Sequence, residues 1–266
     1  MSASRQPVLG VRISATSYKD VCEQTTTWIE QARRDTSARA RYVCVTSVHG
    51  IMLARTDPAF RAILNDADLA TPDGMPVVWA MRSFGRRDQQ RVYGPTLMLH
   101  VCECAARAGY RVFLYGAREE TLATLRRNLR SRFPGLAIAG CYAPPFRPLT
   151  PAEDAEVTRS ILESRADIVF VGISTPKQET WMAAHRATLP GVTMFGVGAA
   201  FDLHAGRVAQ APGWMQRNGF EWAWRLAKEP KRLWRRYLLQ TPLFLPLWFL
   251  QRAGLLRYPA LERSRP

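Results

Sequence analysis

The segment ADIVFVGISTPKQETWMAAHRAT, residues 166–188, decides the fold because its periodicity changes once along its length. Ala166–Gly172 is a short run rich in β-branched and aromatic residues, whereas Gln178–Thr188 has the apolar spacing of a helix. A second strand-like run, Val192–Val197 (VTMFGV), follows. Strand, helix and strand at this spacing indicate parallel strands joined by a crossover helix.

The same alternation extends toward the N-terminus. Further strands are predicted at Arg41–Thr46, Asp68–Thr71, Arg111–Gly116 and Leu136–Gly140, and further helices at Thr96–Arg107, Glu119–Arg132 and Pro151–Ser164. We therefore expect an α/β fold with a mostly parallel sheet and helices on both faces. In such sheets ligands bind beyond the carboxyl ends of the strands, so the residues after each strand are candidates for the site.

The pattern changes after Gly206. GWMQRNGFEWAWRLAKEPKRLWRRYL, residues 213–238, contains no β-like run and leads into the apolar stretch TPLFLPLWFLQRAGLL, residues 241–256. We predict an α/β core over residues 1–206 and a basic helical appendage over residues 207–266.

Charge is concentrated in that appendage. The chain carries a net +15, of which +9 lies from Arg207 onward. Six of the cations lie within residues 225–236 and form a cluster: Arg225, Lys228, Lys231, Arg232, Arg235 and Arg236. Cations interleaved with Trp and followed by apolar residues such as Trp248 and Phe249 are typical of a helix at an anionic membrane interface. A nucleic-acid surface is the competing interpretation, although it does not require the apolar continuation.

The five cysteines form no CxxC pair and no metal-ligand spacing with histidine, and the N-terminal residues show no signal-peptide pattern. The sequence contains no window of about 18 uninterrupted apolar residues. We expect reduced cysteines in a cytoplasmic protein that contacts a membrane without crossing it.

Asp73 is the first candidate for chemistry. It lies between Pro72 and Gly74, after a predicted strand and before a helical run. A carboxylate at this edge could act as a general base on a sugar hydroxyl. An Asp that caps the next helix or shapes a turn is the alternative, and spacing alone favours that structural interpretation.

Asp66 and Asp68 form a DxD triplet, a pattern that holds a divalent metal in many sugar transferases. Because Asp is common in turns, solvated turn residues are the favoured interpretation.

Three turns could meet substrate phosphates or hydroxyls. Gly116 precedes a predicted helix whose N-terminus could bind an anion. Gly198 and Asp202 lie in GVGAAFD, which lacks the third glycine of a dinucleotide motif. Lys177, Gln178 and Glu179 follow Pro176 at a predicted helix start. Each of these turns also has a purely structural interpretation.

Several long motifs are more specific together than any of them alone. TPDGMPVVW, RVYGPTLM, ADIVFVGISTPKQETWM, GVGAAFDLHAG and QAPGWMQRNGFEWAWRLAKEPKRLWRRYL resemble, in order and spacing, the WecG/TagA/CpsF glycosyltransferase family (family 26). The similarity extends from about Val8 to about Tyr237.

This resemblance implies a Rossmann-like core and an inverting transfer of sugar from a UDP-sugar to a polyprenyl-diphosphate-linked saccharide. The reaction would serve bacterial surface or extracellular polysaccharide synthesis at the inner face of the cytoplasmic membrane. No cofactor and no metal are implied, and the UDP-sugar is a substrate.

The resemblance also assigns residues. Asp73 matches the proposed general base, and Arg91 and Gln178 match further catalytic positions. Appendage arginines that would approach the substrate phosphates match Arg225, Arg232 and Arg235.

One departure affects the sugar. Many relatives carry Thr-x-Asn where this chain has Val45 and Ser47, so Thr46, Ser47 or His49 would supply the missing contacts. The donor sugar would be N-acetylmannosamine, its uronic acid or glucose. A non-catalytic basic protein that binds nucleic acid or assists polysaccharide assembly is the alternative function, and an oligomer is compatible with the sequence.

Overall fold

The computed structural model describes residues 4–35 and 37–258, without the side chains of Arg232, Arg236, Leu239 and Gln240. The predictions that Arg232 binds substrate and that Arg236 contacts the membrane concern side chains outside the described part.

Eight strands and thirteen α-helices are described. The strands are β1 (Arg5–Val8), β2 (Val11–Ser14), β3 (Arg41–Thr46), β4 (Leu69–Pro72), β5 (Arg111–Gly116), β6 (Ala137–Tyr142), β7 (Ile168–Gly172) and β8 (Thr193–Gly196). The helices of the first 206 residues are α1 (Tyr18–Arg34), α2 (Val48–Thr56), α3 (Pro58–Asp66), α4 (Met75–Ser83), α5 (Gly94–Ala108), α6 (Glu119–Arg132), α7 (Pro151–Glu163), α8 (Lys177–Ala184) and α9 (Ala200–His204). The later helices are α10 (Gly213–Arg217), α11 (Glu221–Lys228), α12 (Pro230–Trp234) and α13 (Thr241–Arg252), with a π-helical turn at Arg235–Gln240.

Strands β3 to β8 form one six-stranded sheet in the order β4-β3-β8-β7-β5-β6. Every strand pair in this sheet is parallel. One buried apolar cluster joins the sheet to α2, α3, α4, α7 and α8, and a second joins it to α1, α5, α6 and α9. The predicted α/β architecture with helices on both faces is confirmed.

Strand and helix bounds follow the predictions closely where local signals are strong. β3, β5 and α6 have the predicted bounds, and Thr150 and Glu153 form a capping box at the start of α7. Helix α8 ends at Ala184, four residues before the predicted Thr188.

The hairpin β1–β2 was not predicted. Its two-residue turn places Leu9 and Gly10 at positive φ, the geometry that suits a tight hairpin. Asn65 holds the hairpin on α3, accepting from Arg12 N–H at 2.7 Å and donating to Gly10 O at 3.0 Å. The only local signal for this hairpin is the Leu9-Gly10 pair. Asn65, which holds the hairpin in place, is too distant in sequence for a local pattern to reveal its contact.

Helix α13 packs on the core instead of standing apart from it. Phe244 is fully buried, Trp248 Nε1 donates to Ser83 Oγ at 3.0 Å, and Gln251 Oε1 accepts from Leu9 N–H at 2.8 Å. The indole of Trp248, which we predicted to face the membrane, is half-buried against α4, and its contact with a membrane stays a prediction. Phe249, by contrast, is 59% exposed.

In residues 4–35 and 37–258, the helices are all too short or too polar to span a bilayer.

Candidate active site

A cleft of about 400 Å³ opens at the carboxyl edge of the sheet. Residues that follow β3, β4, β7 and β8 line it, as the parallel sheet requires. The polar residues and glycines of the lining include Ser47, His49, Asp73, Gly94, Thr175, Gln178, Gly198 and Asp202. Arg225 and Arg235, from the helices after Gly206, close one side of the cleft.

A second cavity, of about 90 Å³, adjoins the first. Ser47, His49, Asp73 and Arg225 line both. Its remaining walls come largely from the later helices and include Gln216, Gly219, Glu221, Trp222, Tyr237 and Thr241. Asp73 thus lies where the two cavities meet.

The backbone of β4 fixes Asp73 in that position. Its N–H donates to Thr46 O at 3.1 Å, and its Oδ1 accepts from Gly94 N–H at 3.3 Å. The N-cap of α4 is Gly74, so Asp73 does not cap the helix that follows it in sequence. Instead it accepts a bond from the first residue of α5.

The electrostatic surroundings keep Asp73 suited to accept a proton. Burial raises its pKa, and the nearby Glu221 carboxylate raises it further, while Arg91, the Gly94 N–H and Arg225 act in the opposite direction. The net pKa lies above the usual range of an Asp. A raised pKa makes a deprotonated carboxylate a stronger proton acceptor.

Arg91 connects Asp73, in the α/β core, to Glu221, in the later helices. Its Nε donates to the main-chain oxygen of Asp73, and its Nη2 lies 3.7 Å from Asp73 Oδ1. The same Nη2 donates to Glu221 Oε2 at 2.7 Å, and the guanidinium stacks 4.0 Å from the Tyr93 ring centre.

Glu221 is the site residue that sequence reasoning missed. It begins α11 and receives the Arg91 bond from 130 positions away, with a side chain only 12% exposed. The available signal was its acidic character, since it is one of three acidic residues after Arg207 in a segment of twelve cations.

The appendage cations are divided between two locations. Burial alone would lower the pKa of Arg225, but Tyr237, Glu221, Tyr93 and Asp73 outweigh it and raise that pKa, so the guanidinium stays charged in the cleft. Arg235 also lines the cleft, 5.3 Å from the Trp234 ring centre. Lys231 is exposed on α12.

Three predicted substrate-binding residues do not lie among the described cleft-lining residues. Lys177 is exposed on α8, and Glu179 is buried behind Gln178. Gly116 lies against the neighbouring strand β7. A Cβ at this position would lie 2.6 Å from Gly172 O, so the close approach of the two backbones requires a glycine.

The two glycines of GVGAAFD have different structural reasons. A Cβ at Gly196 would lie 2.8 Å from Met182 Cε and 3.0 Å from Gln178 Nε2, so only glycine fits there. Gly198 has a φ of +51°, a left-handed backbone that favours glycine, and neither position needs a dinucleotide motif.

The DxD carboxylates are engaged at the other edge of the sheet. Asp68 precedes β4 and contacts Arg41 at 2.9 Å and Arg186 at 3.0 Å, and its Oδ2 accepts from Tyr42 N–H at 2.9 Å. Arg186 also contacts Asp66 at 2.6 Å. These acids are ion-pair partners of arginines, and only Asp66 is solvated as the favoured interpretation expected: its side chain is 60% exposed, whereas that of Asp68 is 8% exposed.

A partly buried acid between two cavities, with arginines beside it, is suited to proton transfer near an anionic group. Residues 6–258 match the Glycosyl transferase WecG/TagA/CpsF family, and the chain belongs to this family. It is therefore a glycosyltransferase, as the sequence resemblance predicted.

Two similar proteins carry the name N-acetylglucosaminyldiphosphoundecaprenol N-acetyl-beta-D-mannosaminyltransferase. The protein of Bacillus spizizenii is 34% identical over 185 residues, which cover 70% of each chain. The protein of Bacillus subtilis strain 168 is 32% identical over 177 residues, which cover 66% of each chain.

Proposed function

We propose that this enzyme transfers N-acetylmannosamine, with inversion, from its UDP derivative to a saccharide linked to polyprenyl diphosphate. The names of the two Bacillus relatives support this sugar and this kind of acceptor. The enzyme would act in bacterial surface or extracellular polysaccharide synthesis.

The observation that carries the proposal is the position of Asp73 between the two cavities. The larger cleft has the size and the arginines for a sugar nucleotide. The smaller cavity is walled by the later helices, from which a lipid-linked acceptor would enter. An acid between them can contact the acceptor hydroxyl while the donor occupies the other side.

The chemistry then needs one base. Asp73 takes the proton of the acceptor hydroxyl as that oxygen attacks the anomeric carbon from the face opposite the leaving group. The new glycosidic bond forms as the bond to UDP breaks, the electron pair leaves on the diphosphate, and the proton remains on Asp73. Arg225 and Arg235 offset the charge that develops on the leaving diphosphate.

We also propose that no divalent metal is required. Arginines in the cleft can neutralise a diphosphate. Asp66 and Asp68, the pair that resembles a metal motif, are already bound to arginines at the opposite edge of the sheet.

Membrane contact is proposed through the helices after Gly206. Their exposed large apolar residues include Trp214, Phe220, Trp234, Leu238, Leu243, Leu245, Phe249 and Leu250. Exposed apolar side chains beside Lys228 and Lys231 suit the surface of an anionic leaflet, here the inner face of the cytoplasmic membrane.

The test is acceptor-dependent release of UDP. The full chain is incubated with UDP-N-acetylmannosamine, its uronic acid form or UDP-glucose, with and without a short-chain N-acetylglucosaminyl diphospholipid. We expect UDP release with the first donor only when the acceptor is present. A chain that binds DNA or RNA but releases no UDP with any donor would instead be the non-catalytic binding protein.

A further inference from the structure

Gln178 and Glu179 form a buried pair to which the chemistry at Asp73 assigns no role. The two side chains are only 3% and 1% exposed. Gln178 Nε2 donates to Glu179 Oε1 at 2.9 Å, and Thr175 Oγ1 donates to the same oxygen at 2.9 Å. Gln178 lines the cleft, while Glu179 supports it from behind.

Glu179 determines which end of the Gln178 amide faces the cleft. Its Oε1 accepts from Thr175 Oγ1 as well as from Gln178 Nε2, so the NH₂ group of Gln178 points to Glu179 and the carbonyl oxygen points the other way. That oxygen, Oε1, lies beside Gly198, and no described protein group donates to it. The pair therefore holds a buried, unpaired hydrogen-bond acceptor in a side chain that lines the larger cavity.

A buried acceptor of this kind has a clear chemical preference. A substrate with an N–H or O–H group at this point forms a bond, whereas one without it leaves the carbonyl oxygen desolvated and unpaired. Sites built around such a bond discriminate strongly against analogues that lack it.

We infer that Gln178 accepts a hydrogen bond from an N–H or O–H group of the sugar nucleotide, and that Glu179 is the positioning residue that maintains this direction. This inference rests on the proposed function. The matching group is either the N3–H of the uracil ring or a polar hydrogen of the sugar, and the experiment separates these two sources.

Calorimetric titration of the full chain with UDP, 3-methyl-UDP and UDP-N-acetylmannosamine tests the inference. The variants are Gln178→Met, which keeps the length but loses the amide, and Glu179→Gln, which keeps the shape but can also donate. Thr180→Ala, on the exposed side of α8, is the control. Thermal unfolding checks each fold, and Gln178→Ala replaces the methionine variant if that variant does not fold.

If the uracil N3–H donates to Gln178, the wild type binds 3-methyl-UDP about tenfold more weakly than UDP, and Gln178→Met binds the two with equal affinity. If a polar hydrogen of the sugar donates to Gln178, Gln178→Met binds UDP like the wild type but binds UDP-N-acetylmannosamine about tenfold more weakly than the wild type does. In either case Glu179→Gln loses most of the same discrimination, because its amide can donate to Gln178 Oε1 and reverse the orientation.

Two results would overturn the inference. One is a Gln178→Met protein that binds both UDP and UDP-N-acetylmannosamine within about twofold of the wild type. The other is a folded Glu179→Gln protein with full wild-type discrimination. A wild-type chain that binds no UDP at all would instead contradict the proposed function.

Discussion

At the scale of single residues, Asp73 and its neighbours form a compact set of opposing charges. Asp73 and Glu221 are acids, Arg91 lies between them, and Arg225 lines both cavities beside Asp73. Two carboxylates repel each other when both are charged, and Arg91, which contacts both, offsets that repulsion.

Asp73→Asn should reduce kcat by about 10²–10⁴-fold, the usual contribution of a general base. Asn keeps the shape of Asp and can still accept from Gly94 N–H, but it cannot take the proton. UDP binding by calorimetry should stay close to that of the wild type. A variant that retains more than about a tenth of the wild-type rate would remove Asp73 from this role.

Glu221→Gln should move the acidic limb of the kcat/KM profile to lower pH. Asp73 works as a base only when deprotonated, so activity falls as pH decreases through its raised pKa. Glu221 contributes to raising that pKa, and its removal also leaves Arg91 free to pair with Asp73. Both effects lower the pKa of Asp73.

The rate of Glu221→Gln at its optimum should fall about tenfold or more, since one charge-assisted hydrogen bond to Arg91 is weakened. Glu120→Gln, which removes an exposed carboxylate paired with Arg207, is the matched control. An acidic limb that stays in place or moves to higher pH would contradict the coupling of Glu221 to Asp73.

At the scale of elements, α13 has two different faces. Phe244 and Trp248 pack toward α2 and α4, whereas Phe249 and Leu250 are exposed. A deletion of the later helices would therefore remove part of the apolar core together with any membrane contact. Paired point variants separate the two roles.

Phe244→Ala should lower the free energy of unfolding by about 3–5 kcal/mol, as is usual when a fully buried Phe is truncated. Phe249→Ala should leave it within about 0.5 kcal/mol of the wild type, because the side chain is exposed. Urea unfolding measures both. Equal destabilisation by the two variants would show that the faces of α13 are not divided as described.

Phe249→Ala should in turn weaken binding to vesicles of anionic lipid in a sedimentation assay, since it removes apolar surface that would enter the interface. Vesicle binding equal to that of the wild type would assign membrane contact to other residues.

At the scale of the whole molecule, the exposed cations after Gly206 are part of the proposed contact with an anionic membrane. Lys228 and Lys231 are exposed on α11 and α12 and lie outside the described cleft lining. Lys228→Glu with Lys231→Glu should weaken binding to phosphatidylglycerol vesicles about tenfold or more at 0.1 M salt, given roughly 1 kcal/mol for each cation at an anionic leaflet.

The difference between this double variant and the wild type should shrink as salt is raised, because salt screens exposed charges. UDP binding should be unchanged. Arg127→Glu with Arg130→Glu, which reverses two exposed charges on α6, is the control and should bind vesicles like the wild type. Equal losses in both double variants would indicate attraction by net charge alone.

The sequence by itself determined the layered α/β fold and the position of Asp73 at the end of a strand. Strand and helix patterns are local, so ADIVFVG and its neighbours predict their own conformations, and a parallel sheet brings the ends of its strands to one edge. The approach of Ser47, His49, Asp73 and Gln178 to one cleft follows from that rule.

Only the tertiary structure decided how the later helices meet this edge. The bond between Arg91 and Glu221, the hydrogen bond from Trp248 to Ser83 and the support of Gln178 by Glu179 depend on which faces pack together. The first two join residues more than a hundred positions apart, and no local pattern encodes such a pairing. The third joins adjacent residues, yet which of them faces the cleft depends on how α8 lies against β8.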